Sequence, residues 1–248
     1  MRVSVGVVGL MVAVLTACGG AASTGAAAPG PSTASAATTS APVPTGPNVS
    51  GCFTEADGKI FEHDGGLPGV ITGDGPVGVV VTYERRGNVC TWRPLSDRLV
   101  AAGYRVLLYA RGSATLPEDA AVAMGRRLAK EPGVKRIFLV GGSIGATTAV
   151  PAALKLGSKV AGVVAVSGEI SKENAARLTV PLLQIGSAND GYGGAGDLAA
   201  AHDAATKAPD NQTMVIPGES LHASALFTSP HGKDVLDRIV AFMDRHKG

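Results

Sequence analysis

The chain has 248 residues, a formal net charge of +2 and only 4% aromatic residues. No Lys/Arg-rich stripe appears, which excludes nucleic acid as an expected partner. An apolar fraction of 45% is ample for a packed core, although the Ala-rich N-terminal region raises it.

Arg2 supplies a positive start, and Val3 to Leu15 is an almost unbroken apolar run. That run is shorter than the roughly 20 residues a spanning helix needs. It predicts a signal peptide over residues 1–17. Leu15-Thr16-Ala17-Cys18 follows and resembles the lipobox of bacterial lipoproteins. In that family the cysteine is acylated with diacylglycerol and becomes the mature N-terminus. The resemblance implies lipidation at Cys18 and a secreted protein anchored to the outer face of the bacterial cell membrane. Two acyl chains give a firm anchor, since each buried CH₂ contributes about 0.8 kcal/mol. From Gly19 to about Pro47 the residues are almost all Ala, Ser, Thr, Gly and Pro, without charge. Residues 18–48 are therefore expected to form a disordered tether. With Cys18 consumed, Cys52 and Cys90 remain, an even pair that fits one disulfide outside the cytoplasm.

A folded domain is expected over residues 49–248. Lys59 to His63 and Pro68 to Thr72 read as a β-hairpin, turning at Asp64-Gly65-Gly66. Val77 to Thr82 is a buried strand by its valine run. Pro94 to Ala102 is an amphipathic helix that Gly103 stops. Tyr104 to Tyr109 is a strand, and Glu118 to Lys130 is a helix closed by Pro132-Gly133. Arg136 to Val140 is a strand running into Gly141-Gly142-Ser143-Ile144-Gly145, with a helix over Ala146 to Leu156 beyond it. Then follow strand Val160 to Val166, helix Glu173 to Leu178, strand Pro181 to Ile185 and helix Asp197 to Ala208. Strand Gln212 to Ile216 and helix Lys233 to Arg245 complete the pattern. Repeated β-α units imply an α/β fold, a doubly wound, mainly parallel sheet covered on both faces. The interval from Ser167 to Thr179 is too short for a large lid domain.

Gly141-Gly142-Ser143-Ile144-Gly145 matches G-x-S-x-G at a strand-to-helix turn, the context of a nucleophile elbow. A serine hydroxyl needs a base near neutral pH. His222, in Pro217-Gly218-Glu219-Ser220-Leu221-His222 just past the last strand, is the best placed. His63, His202, His231 and His246 lie on the hairpin, a helix face or near the final helix. The base must be oriented by an acid. Asp190, in Gly186-Ser187-Ala188-Asn189-Asp190 after a core strand, meets that need. Asp197 reads better as a helix N-terminal residue.

The order Ser143, Asp190, His222 is the one α/β-hydrolases use. With Trp92-Arg93-Pro94-Leu95, Leu99 to Leu107 and Val164-Ala165-Val166-Ser167-Gly168, it makes the domain resemble that superfamily, in particular its small lidless esterase-like or dienelactone-hydrolase-like members. The resemblance implies a serine hydrolase acting on carboxylic esters or thioesters, with a small-molecule ester as substrate and neither metal nor organic cofactor. The backbone N–H groups of Ile144 and Glu84 would form the oxyanion hole. Two segments depart from the family pattern. Thr82-Tyr83-Glu84-Arg85 stands where a His-Gly pair is usual, so an acidic side chain is expected to crowd the site. Tyr109-Ala110-Arg111-Gly112 replaces an Asp-x-x-Gly segment. These departures keep a non-catalytic envelope-binding lipoprotein in view, and an acyltransferase would use the same triad. Arg85, Arg86 and Arg111 are expected near the site edge, as attractors of an acidic substrate or as solvated loop charges.

Overall fold

A computed structural model describes residues 45–248. The expected signal peptide, Cys18 and the tether as far as residue 44 lie outside the described residues.

Two short strands, β1 (Asn48–Val49) and β2 (Phe53–Thr54), pair antiparallel ahead of the main sheet. The main sheet has eight strands: β3 (Gly58–His63), β4 (Leu67–Thr72), β5 (Val77–Thr82), β6 (Arg105–Tyr109), β7 (Arg136–Gly142), β8 (Val160–Val166), β9 (Leu182–Ser187) and β10 (Asn211–Ile216). Their spatial order is β10-β9-β8-β7-β5-β6-β4-β3. The expected hairpin is β3 and β4, which pair antiparallel, and β4 pairs antiparallel with β6. From β6 to β10 every neighbouring pair is parallel. The sheet is therefore the doubly wound, mainly parallel one that the strand-helix alternation implies.

Burial explains the residue choice. All six residues of β5, Val-Gly-Val-Val-Val-Thr, are buried, as expected of a central parallel strand covered on both faces. Side chains alternate between faces, and two cores result. Val79 and Val81 of β5 point to a core that also holds Leu95 and Leu99 of α1 (Arg93–Ala101) and Val235, Ile239 and Phe242 of α6 (Gly232–His246). Val80 points to the opposite core, shared with α2 (Pro117–Leu128), α3 (Ile144–Leu156), α4 (Lys172–Arg177) and α5 (Ala195–Ala204). No helix among the described residues is long and apolar enough to cross a membrane.

Some boundaries differ from expectation. Helix α5 ends at Ala204 instead of Ala208, because Ala205 leaves helical geometry at ψ 49° and the Asn211 amide donates to the His202 carbonyl at 2.7 Å. Strand β7 runs two residues further, to Gly142, since those residues pair with Ala165 and Val166 of β8. Two 3₁₀ turns, Val89–Trp92 and Ala223–Thr228, carry no periodic apolar signal and escape sequence reading.

The chain passes from β6, on one side of β5, to β7 on the other. Sheet order thus reverses at β5, and ligands of open α/β sheets bind at the carboxyl ends of strands flanking such a switch. Thr82, which ends β5, is in register with Gly141 of β7. The loop after Thr82 and the turn at Ser143 therefore emerge side by side.

Candidate active site

Ser143 sits between β7 and α3 with φ 54° and ψ −121°, a left-handed conformation uncommon for a residue with a Cβ. It persists because neighbours hold both sides of the peptide: Ser143 N–H donates to the Val166 carbonyl at 2.9 Å, and Thr147 N–H donates to the Ser143 carbonyl at 3.0 Å. The turn is tight enough that a Cβ on Gly145 would stand 1.9 Å from the Thr82 carbonyl oxygen. The last glycine of G-x-S-x-G is thus required by the approach of α3 to the end of β5. Ile144 opens α3, so its N–H belongs to the first-turn donors that lack an intrahelical acceptor.

Asp190 follows β9, and its side chain is only 7% exposed. Its Oδ1 accepts from the Tyr192 N–H at 3.1 Å, and its Oδ2 lies 2.7 Å from His222 Nδ1. Opposite an ionised carboxylate, which only accepts hydrogen bonds, a neutral imidazole would carry its proton on Nδ1 and keep the Nε2 lone pair. The loop bearing His222 is tied to the end of β9 at three further points. Ala188 N–H donates to the Ile216 carbonyl at 2.9 Å, Asn189 N–H to the Glu219 carbonyl at 2.8 Å, and the Ser187 hydroxyl to the Leu221 carbonyl at 2.8 Å.

One cavity of about 430 Å³ is lined by Glu84, Arg85, Arg86, Ser143, Ile144, Tyr192 and His222. The structure thus gathers the candidate nucleophile, base and both candidate oxyanion donors around a single space, with Asp190 bonded to the base. Among the described residues no hydrogen bond joins Ser143 to His222. The rival histidines are engaged elsewhere: His231 lies 3.4 Å from Glu219, His246 is 2.7 Å from Asp210, and His202 lies on α5. Asp197 stands in the first turn of α5, where its carboxylate accepts from the Gly193 N–H at 2.7 Å.

Glu84 lines the cavity, where an acidic side chain is expected to crowd the site, and its carboxylate is engaged by neighbours. Its Oε2 accepts from the Trp92 indole N–H at 2.7 Å and its Oε1 from the Ser224 hydroxyl, while the Thr91 hydroxyl, 3.3 Å from the same Oε1, lies closer to the Asn88 carbonyl, at 2.9 Å. The carboxylate is thus engaged by two donors, Trp92 and Ser224. Trp92 is fully buried, and its ring meets Phe227 edge-on at 5.0 Å. Glu84 therefore joins the loop after β5 to both 3₁₀ turns, one of which follows His222 directly. Cys52 and Cys90 form the expected disulfide, which fixes the turn that carries Thr91 and Trp92.

Sequence reasoning missed Trp92, Thr91 and Ser224 as supports and Tyr192 as a wall. Tyr192 bonds Thr147 of α3 through its hydroxyl at 2.8 Å and lies 6.3 Å from the His222 ring. Among the described residues no group of three His, Cys, Asp or Glu side chains is arranged to hold a metal ion.

No known family profile matches the sequence, and neither does any curated protein. Solved structures do share its architecture. An esterase from Pyrococcus furiosus superposes with a TM-score of 0.64 at 17% identity, over 77% of this chain and 92% of that one. A monoacylglycerol lipase from Paleococcus ferrophilus gives 0.63 at 17% identity, over 73% and 99%. Est1E from Butyrivibrio proteoclasticus gives 0.63 at 12%, over 76% and 98%. At such identities the likeness is one of fold, and the fold is that of the α/β-hydrolases.

Proposed function

We propose that the protein is a serine hydrolase that cleaves carboxylic ester or thioester bonds through an acyl-enzyme on Ser143. The observation that carries this reading is the 2.7 Å bond between Asp190 and His222 Nδ1, with His222 and Ser143 lining one cavity. His222 Nε2 takes the proton from Ser143 Oγ as that oxygen attacks the carbonyl carbon. The N–H groups of Ile144 and Glu84 hold the oxyanion that forms. Collapse breaks the bond to the leaving group, which takes its proton from His222. Water activated by the same imidazole then releases the acid and frees Ser143. Asp190 stays ionised and stabilises the imidazolium at each stage.

The neighbours that are esterases or a lipase support ester chemistry on this fold. An N-terminal lipid at Cys18 would hold the domain at the outer face of the bacterial cell membrane, within reach of envelope or extracellular esters. With no long segment between β8 and β9, the site is open, which suits small or flexible esters.

The direct test is pre-steady-state hydrolysis of a 4-nitrophenyl ester. A burst of nitrophenol equal to the enzyme present, absent in Ser143→Ala, is expected. Turnover undiminished in Ser143→Ala would overturn the assignment.

A further inference from the structure

A second cavity, of about 650 Å³, adjoins the first, and Arg85 and Ile144 line both. Tyr83, Arg111 and Leu116 stand in its wall, and His63 and Asp64 bring it to the β3–β4 turn. A substrate whose carbonyl meets Ser143 beside Ile144 would have the second cavity, with Arg111 in its wall, on the other side of the shared residues Arg85 and Ile144.

The charges around this space are unbalanced. Arg85, Arg86 and Arg111 line the two cavities, and none makes an ion pair among the described residues. Arg93, Arg98, Arg177 and Arg245 pair with carboxylates, but Arg105, Arg126, Arg127, Arg136 and Arg238 make no ion pair among the described residues either; what distinguishes Arg85, Arg86 and Arg111 is that they line the two cavities. The carboxylates in the two walls are Glu84, bonded by Trp92 and Ser224, and Asp64, which makes no ion pair with these arginines. Arg111 is held in place: its guanidinium lies 4.3 Å over the Tyr83 ring and donates to the Glu84 carbonyl at 2.8 Å, while its buried Nε has no partner. Arg85 and Arg86 are exposed. A held guanidinium with exposed ones beside it suits recognition of a carboxylate or phosphate, whose paired oxygens match the guanidinium fork.

We propose that the substrate is an ester bearing an anionic oxygen group, which Arg85 and Arg111 seat in the second cavity while its carbonyl lies at Ser143. This substrate class rests on the hydrolase reading, but the binding it requires does not. The test therefore measures binding to the full chain carrying Ser143→Ala, by calorimetry. The ligands are monoethyl glutarate, an anion at neutral pH, and ethyl methyl glutarate, its neutral counterpart.

The anion is expected to bind at least about tenfold more tightly, the effect of one charge-assisted hydrogen bond. The preference shrinks with added salt, disappears in Arg85→Glu and persists in the remote Arg177→Gln. Competition by glutarate and by inorganic phosphate separates a carboxylate site from a general oxyanion site. Equal or undetectable binding of the two esters, or a preference unchanged in Arg85→Glu, overturns the proposal. Wild-type turnover is read separately, so a failed hydrolase reading leaves the binding result standing.

Discussion

The Glu84 carboxylate accepts a hydrogen bond from the Ser224 hydroxyl, two residues beyond His222, and from the Trp92 indole at 2.7 Å. The side chain of Glu84 thus couples the loop after β5 to the loop of the candidate base. Glu84→Ala releases that coupling and leaves the buried indole N–H unpaired. Ester hydrolysis is expected to lose roughly 10²-fold in kcat through misplacement of His222, with KM little changed. Glu84→Gln, which keeps an acceptor for Trp92, restores part of the loss. Steady-state kinetics of the two variants check this, and an unchanged kcat in Glu84→Ala would contradict it.

Asp190 is nearly inaccessible and shares its carboxylate between His222 and the Tyr192 N–H. In Asp190→Asn the amide can present an N–H to Nδ1 and favour the wrong tautomer. A fall in kcat on the order of 10³–10⁴-fold is expected, with the fold intact by circular dichroism.

Gly145 meets the Thr82 carbonyl so closely that any added Cβ must push α3 away from β5. Gly145→Ala is expected to cost about 1–3 kcal/mol of stability, read from the denaturant midpoint. Unaltered stability would show that the elbow relaxes freely, contrary to its packing.

The Cys52–Cys90 bridge spans a sequence separation of 38 and holds the turn that presents Thr91 and Trp92 to Glu84. Cys52→Ser/Cys90→Ser is expected to lose about 2–5 kcal/mol of stability. Because Glu84 loses its firm anchor, activity should fall at temperatures where the variant is still folded. Parallel melting curves and rates separate the two effects.

Burial pushes the His63 imidazole below its ordinary value of 6.5, with the Ala110 backbone and Asp64 opposing the shift and Arg127 adding to it. The unfolded chain then binds this proton at a higher pH than the folded one does. The contribution is therefore complete above pH 6.5 and is lost as pH falls below 6.5 through the depressed folded-state value. In His63→Gln the melting temperature should depend less steeply on pH just below 6.5 than in the wild type.

Much of the site is legible in the sequence because local rules fix it. The β5 valine run, the glycines around Ser143 and the short loops after β9 and β10 each announce themselves within a few residues. The supports are different in kind. Trp92 enters the sequence reading only within the resemblance-bearing Trp92-Arg93-Pro94-Leu95 segment, Ser224 gives no signal, and Glu84 reads as a crowding acid. Their meaning comes from contacts as far apart as 140 positions, between Glu84 and Ser224. No local pattern encodes such pairing. Strands β1 and β2, of two residues each, are too short for alternation to register. The over-long reading of α5 has the same origin: helix propensity favours its alanines, but a distant Asn211 side chain helps end it.

The most direct measurement of an activated Ser143 is reaction of the full-length protein with a fluorophosphonate probe, mapped by mass spectrometry. A single adduct on Ser143, absent in Ser143→Ala and strongly slowed in His222→Ala, is the expected result. A folded wild-type protein that does not react, or that reacts equally well without His222, would contradict the assignment of His222 as the base that activates Ser143.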